Sequence, residues 1–156
     1  MDITLNFDTL YQKVSRSLSI IGKRSIDDNG NLLFKDITLG SKEKELANDY
    51  FRQAVIDLSA ELSAFITANN NTAITFKLEM PTNYRDSLES FVVDSCEAYC
   101  VSYALYSWFT ITAPRIAAKY ADDCKRQVAA VIRLIHEKEA PDASSNGILD
   151  TSTSVA

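Results

Sequence analysis

The chain predicts a mainly α fold, one helical domain with a small β element, and three observations carry that expectation. Apolar residues recur at steps of three and four through four long stretches. One further stretch alternates strictly between apolar and polar residues. Turn-forming clusters at Asp27 to Asn31, at Asn69 to Asn71 and before Pro114 separate these stretches. The helices are expected at about 7–22, 42–68, 84–110 and 114–139, and the β element at 32–39 and 72–80. Residues 1–140 form one domain, and 141–156 form a polar Ser/Thr-rich tail with no core pattern.

The first helix places Phe7, Leu10, Tyr11, Val14, Leu18 and Ile21 on one face, with Asn6 as its N-cap and Gly22 as its stop. Next comes the acidic Asn-Gly turn, which lacks the alternating ligands and closing glutamate of a calcium loop and therefore reads as a plain turn. The second helix opens at Ser41, with Glu43 and Glu45 in the first turn where the helix dipole favours acids. It runs through Phe51, Ala54, Leu58, Leu62 and Phe65, and its outer side carries Glu45, Asp49, Gln53, Asp57 and Glu61 at four-residue steps. A solvated face is the plain reading of that acidic row.

In the alternating stretch Ile74, Phe76, Leu78 and Met80 point one way and Thr75, Lys77 and Glu79 the other, before Pro81 ends it. A lone strand leaves its backbone unsatisfied, so it needs a partner. Residues 32–39 and a strand of another copy are both eligible.

The third helix is the most apolar and is expected to be enclosed on all sides. Leu88, Phe91, Ser95, Ala98, Ser102, Leu105 and Phe109 form one stripe, and Val92, Cys96, Tyr99, Tyr103 and Tyr106 a second. Asn83 or Asp86 is its expected cap, Asp86 standing at capping-box spacing from Glu89. Pro114 suits the first turn of the fourth helix, which presents Ile116, Tyr120, Cys124, Val128, Val131, Ile132 and Ile135 inward. So short a connection makes the last two helices antiparallel neighbours.

Composition narrows the function classes. A chain of 156 residues is one domain in size, 46% hydrophobic and 24% charged. Sixteen Lys and Arg against twenty-one Asp and Glu leave a net charge of −5, which argues against gripping phosphates through a basic face. A protein that surrounds DNA without holding it stays compatible with that charge. Three cysteines without framework spacing imply a reducing compartment, or at least no reliance on bridges. Met1 to Leu5 carries no basic segment leading into an apolar run, so no signal peptide is expected. The uncharged stretch from Ala98 to Pro114 is shorter than the roughly 20 residues of a membrane span. The expected chain is soluble.

No catalytic, cofactor-binding or metal-binding residue is assigned. The single histidine, His136, stands near the end of the fourth helix, where a positive charge suits the dipole. Cys96, Cys100, Cys124 and His136 have zinc-ligand chemistry, but cysteine in helices this apolar reads as core packing. Asp86, Glu89, Asp94, Glu97, Asp122 and Asp123 lack the dense clustering of a magnesium-dependent helical nucleotide hydrolase. That class is kept as the alternative, beside a helical regulatory module. Tyr99, Tyr103 and Tyr106 read as aromatic core or interface, since no basic residue lies between Glu97 and Arg115 to accompany stacked bases.

From the second helix onward the chain resembles the head-tail connector (adaptor) proteins of tailed bacteriophages. The likeness is carried by Tyr50-Phe51-Arg52-Gln53-Ala54-Val55-Ile56-Asp57-Leu58 with Glu61-Leu62 and Phe65-Ile66, then by Leu78-Glu79-Met80-Pro81. It continues in Cys96-Glu97-Ala98-Tyr99, Tyr103-Ala104-Leu105-Tyr106 and Lys119-Tyr120-Ala121-Asp122-Asp123-Cys124, with Val128 and Leu134. Roughly residues 41 to 140 are covered, by diffuse patterns; the long first helix with its Asn-Gly turn and the polar tail depart from the pattern.

The resemblance implies a structural virion protein of the neck, assembled in the host cytoplasm as a homo-oligomeric ring between the portal protein and a tail or second neck protein. DNA would pass through it without specific binding. Glu45, Asp49, Asp57 and Glu61 would then face the lumen and repel the phosphates. Ile74, Phe76, Leu78 and Met80, on the unpaired strand, would serve subunit contacts, and the tail would dock late.

Overall fold

A computed structural model of the chain describes residues 1–24, 29, 41–69 and 75–137. Among them the order is β1 (Asp2–Thr4), α1 (Phe7–Arg24), α2 (Ser41–Glu61), β2 (Ile66–Asn69), β3 (Thr75–Leu78), a 3-10 turn (Asp86–Leu88), α3 (Glu89–Thr112) and α4 (Pro114–His136). The mainly α class with a small β element is therefore the observed architecture. The expected strand at 32–39 and the tail at 141–156 lie outside the described residues.

Asn6 caps α1 as its residue type demands: its side-chain oxygen accepts from the backbone N–H of Asp8 at 2.9 Å and of Thr9 at 3.1 Å. Replacing Asn6 by alanine orphans both donors and should lower stability by about 1 kcal/mol in a urea titration. A loss below a few tenths would mean that water serves those donors equally well. Gly22 does not end the helix, which continues to Arg24. A glycine inside a helix costs about 1 kcal/mol relative to alanine, and flanking turns can outweigh that.

The helix predicted over 42–68 stops at Glu61, and the strand β2 takes its last residues. Phe65 and Ile66 keep helical spacing from Leu58 and Leu62, which is why the pattern runs on. The backbone tightens instead: the N–H of Ser63 donates to Ala60 at 3.2 Å and that of Phe65 to Leu62 at 2.8 Å, turning the chain into β2.

The strand predicted over 72–80 is described from Thr75 and ends at Leu78, residues 72–74 lying outside the described ones; among the described residues this β3 is the middle strand of a three-stranded antiparallel sheet ordered β1-β3-β2. Ile3 lies opposite Phe76, and Ile66 opposite Leu78, with an irregularity between Ile66 and Ala68. Both partners come from this chain, and neither is the stretch 32–39 or a second copy. The β1 strand has its own sequence signature, since Ile3 and Leu5 alternate with Asp2 and Thr4 and both are buried.

α3 is the hub of the bundle, contacting α4, α2 and α1. Val92, Cys96, Tyr99, Cys100, Ala104, Leu105 and Phe109 are buried on it. Its enclosure is incomplete: Phe91 is 56% exposed, Tyr106 37% and Ile111 80%. The expected caps are not made. Leu88 precedes α3 without a side-chain cap, and Asn83 instead adopts a left-handed backbone, φ 64°, in the turn closed by the N–H of Tyr84 on the carbonyl of Pro81. Pro114 does open α4, which ends at His136 and not at 139. Phe109 stacks on Tyr120 at 5.9 Å and 10°, locking the antiparallel α3–α4 hairpin near its turn.

α1 is tied across the bundle by ion pairs of Lys13 with Glu97 on α3 and of Asp8 with Lys44 on α2. Phe7 meets Phe51 at 5.4 Å, so the start of α1 is seated on the middle of α2.

Candidate functional site

The face where α2, α3 and α4 meet holds a pocket of ≈ 320 Å³. α2 contributes Glu61 and α3 contributes Tyr99. α4 contributes Cys124, Val128 and Ile132 as a four-residue stripe, with Lys125 and Ala129 beside it. The sequence assigns that stripe to the core, yet Cys124, Val128 and Ile132 are only half-buried. Burial is complete at Ala117, Val131 and Ile135, the row of α4 that turns most directly into the bundle.

One turn further along, the Tyr103 hydroxyl donates to the Asp57 carboxylate, and the amide of Gln53 donates to the same carboxylate at 2.9 Å. Burial first, then that bonded carboxylate, push the Tyr103 hydroxyl up to about 12. Tyr99 is pushed up as well, by burial and then by Cys124 and Asp57. Tyr99 and Tyr103 lie 6.1 Å apart, and Tyr103 and Tyr106 6.4 Å, an aromatic ladder along the seam.

All three thiols are free. Burial raises Cys96 to about 12 and Cys124 to about 11, and raises Cys100 further, with Cys96 and Cys124 adding to the effect. At neutral pH each holds its proton, and it is the thiolate that attacks or ligates a metal. Among the described residues no group of three or more His, Cys, Asp or Glu side chains is gathered where it can hold a metal ion. Three of the six carboxylates of the hydrolase alternative are taken up in separate ion pairs: Glu97 with Lys13, Asp122 with Lys125 at 3.8 Å, and Asp123 with Arg126. His136 is exposed and meets the Phe65 ring edge-on at 5.3 Å.

The four acids of the α2 row are not alike. Glu45 and Asp49 are exposed, Asp49 bridging to Arg52 at 2.8 Å. Asp57 is half-buried against Tyr103, and Glu61 stands at the pocket. Of the strand residues expected at subunit contacts, Phe76 and Leu78 are each 1% exposed and belong to this chain's own core. Met80 packs partly buried against that core, and Ile74 lies outside the described residues. β3 has a neighbour from this chain on both edges, so among the described residues the outer edges of β1 and β2 are the ones left unpaired.

Sequence reasoning missed the pocket and Ile111. The pocket's signal is the placing of Lys125 and Arg126 among six apolar residues in 124–132, a stretch that periodicity alone turns inward. Ile111 has none, because the sequence pattern ends the third helix at 110 and leaves Ile111 in the break before Pro114, whereas α3 runs on to Thr112.

No family model, no curated protein and no solved structure matches this chain. No described helix is long and apolar enough to cross a membrane.

Proposed function

We propose that the chain is a structural assembly protein, a ring-forming adaptor of a phage neck that sits between the portal protein and the tail and lets DNA pass. One observation carries this reading beyond the resemblance: apolar surface stays open on every helix of the bundle. Ile20 on α1 is 51% exposed, Ile56 on α2 58%, and Phe91 and Ile111 on α3 56% and 80%, while α4 leaves its pocket-lining stripe half-covered. A single exposed isoleucine is ordinary; apolar side chains left open on all four helices suit a subunit with a neighbour on each side. In this reading Glu45 and Asp49 give the channel wall its repulsion for phosphate, whereas Asp57 and Glu61 lie at the α2–α3–α4 seam.

Light scattering on the purified chain, alone and with the portal protein of the same virus, tests the assembly. Ring-sized oligomers are expected in at least one of the two, and monomer in both would remove the proposal. Magnesium-dependent hydrolysis of nucleoside triphosphates by the pure protein would replace it with the hydrolase reading.

A further inference from the structure

The exposed side chain at one end of the bundle and the pocket towards the other are complementary. Ile111, in the last turn of α3, carries a branched aliphatic side chain and is 80% exposed. Its neighbours keep their hydroxyls to themselves: Thr110 donates to the carbonyl of Tyr106 at 2.7 Å and Thr112 to that of Trp108 at 3.0 Å. The last turn of α3 thus presents an apolar knob between two threonines whose hydroxyls are already bonded. The pocket has an apolar floor in Val128, Ala129 and Ile132, and at ≈ 320 Å³ it holds a branched aliphatic side chain with room for part of its helix turn.

Charge runs the same way. Between Glu97 and Asp122 the only charged residues are Arg115 and Lys119, both exposed just past the knob. The pocket's lining carries Glu61 and Lys125, the latter paired with Asp122 at 3.8 Å, and Asp57 stands one helical turn from Glu61 along α2. A cationic tip therefore faces an acidic seam, and opposite potentials orient the approach.

Resting on the assembly reading above, we infer that Ile111 of one copy inserts into the α2–α3–α4 pocket of the next, with Arg115 and Lys119 of the first copy set against Glu61 and Asp57 of the second. From Tyr99 to Ile111 is about 18 Å of helix, so knob and pocket are different patches on one molecule. Made in one direction only, such a contact is heterologous, the class that closes into rings when its rotation permits, whereas reciprocal exchange of knobs would stop at a two-fold dimer.

The native thiol of Cys124 sits in the pocket as a reporter. In the I111C variant, mild oxidation at pH 8.5 should join the new thiol to Cys124 of the next chain and give a ladder of multimers. The ladder should vanish when Cys124→Ala is added. Cys96 and Cys100, both 0% exposed, are out of reach.

Independently, I111D on the knob and A129W in the pocket should each weaken self-association on the order of 10- to 100-fold with unchanged helix content. Both sites are exposed, so neither substitution strikes the core. Oligomers that persist undiminished in both variants, or that give no ladder with I111C, overturn the knob while leaving the assembly reading intact. A wild-type chain that stays monomeric at millimolar concentration and beside the portal overturns both.

Discussion

Replacing Phe51 by alanine should destabilise the protein by about 3–5 kcal/mol, the largest single-site loss expected in the described fold. Phe51 is 0% exposed and is in ring contact with Phe7, so its removal empties core volume and unseats the start of α1 from α2. Domains of this size are stable by about 5–15 kcal/mol, and the variant should therefore lose roughly a fifth or more of its margin. Urea titration should show a lower midpoint with an unchanged slope. A loss under about 1 kcal/mol would contradict the seating of α1 on α2.

Alkali should unfold the protein steeply, and the cause is the buried thiols. In the unfolded chain a cysteine ionises near 9.0, while burial raises Cys96 to about 12 and Cys100 further. Below pH 9 both states hold these protons and stability is complete. Between pH 9 and about 12 the unfolded chain sheds them and the folded chain keeps them, so stability falls as pH rises. Each thiol contributes about 1.4 kcal/mol per pH unit in that window, and the two together about 3. Tyr99 and Tyr103, both raised chiefly by burial, add with the same sign. Urea midpoints collected from pH 8 to 11 measure the slope directly. The Cys96→Ala, Cys100→Ala double variant should flatten it even if its absolute stability drops, and an unchanged slope would show that the thiols are not the groups being titrated.

The helices were legible because amphipathic periodicity is a property of each segment alone. The Asn6 cap and Pro114 at the first turn of α4 follow from local chemistry, and both are seen. Errors fall where a distant partner decides. Phe65 and Ile66 continue a helical stripe, but the β-branched side chains of Ile66 and Thr67 and the availability of β3 turn the chain into a strand. The same competition gives β1 to β3, a pairing that no local pattern announces. At the seam, periodicity assigns a face to Cys124, Val128 and Ile132 without saying whether anything covers that face, so the pocket stays invisible until α2 and α3 are in place. The acidic row shows the converse: equal spacing along α2 suggests equal roles, and the environment then separates Asp57 from Glu45.

The order of the sheet has a kinetic corollary. The amino group of Met1 donates to the carbonyl of Leu78, 77 positions away, whereas α3 and α4 are joined through Ala113 alone. Closing a flexible loop costs entropy that grows with the logarithm of its length, so the hairpin needs almost no chain search and the β1–β3 ladder needs a long one. The edge strand β1 is thus set to register late, after the helices have drawn the two ends of that loop together.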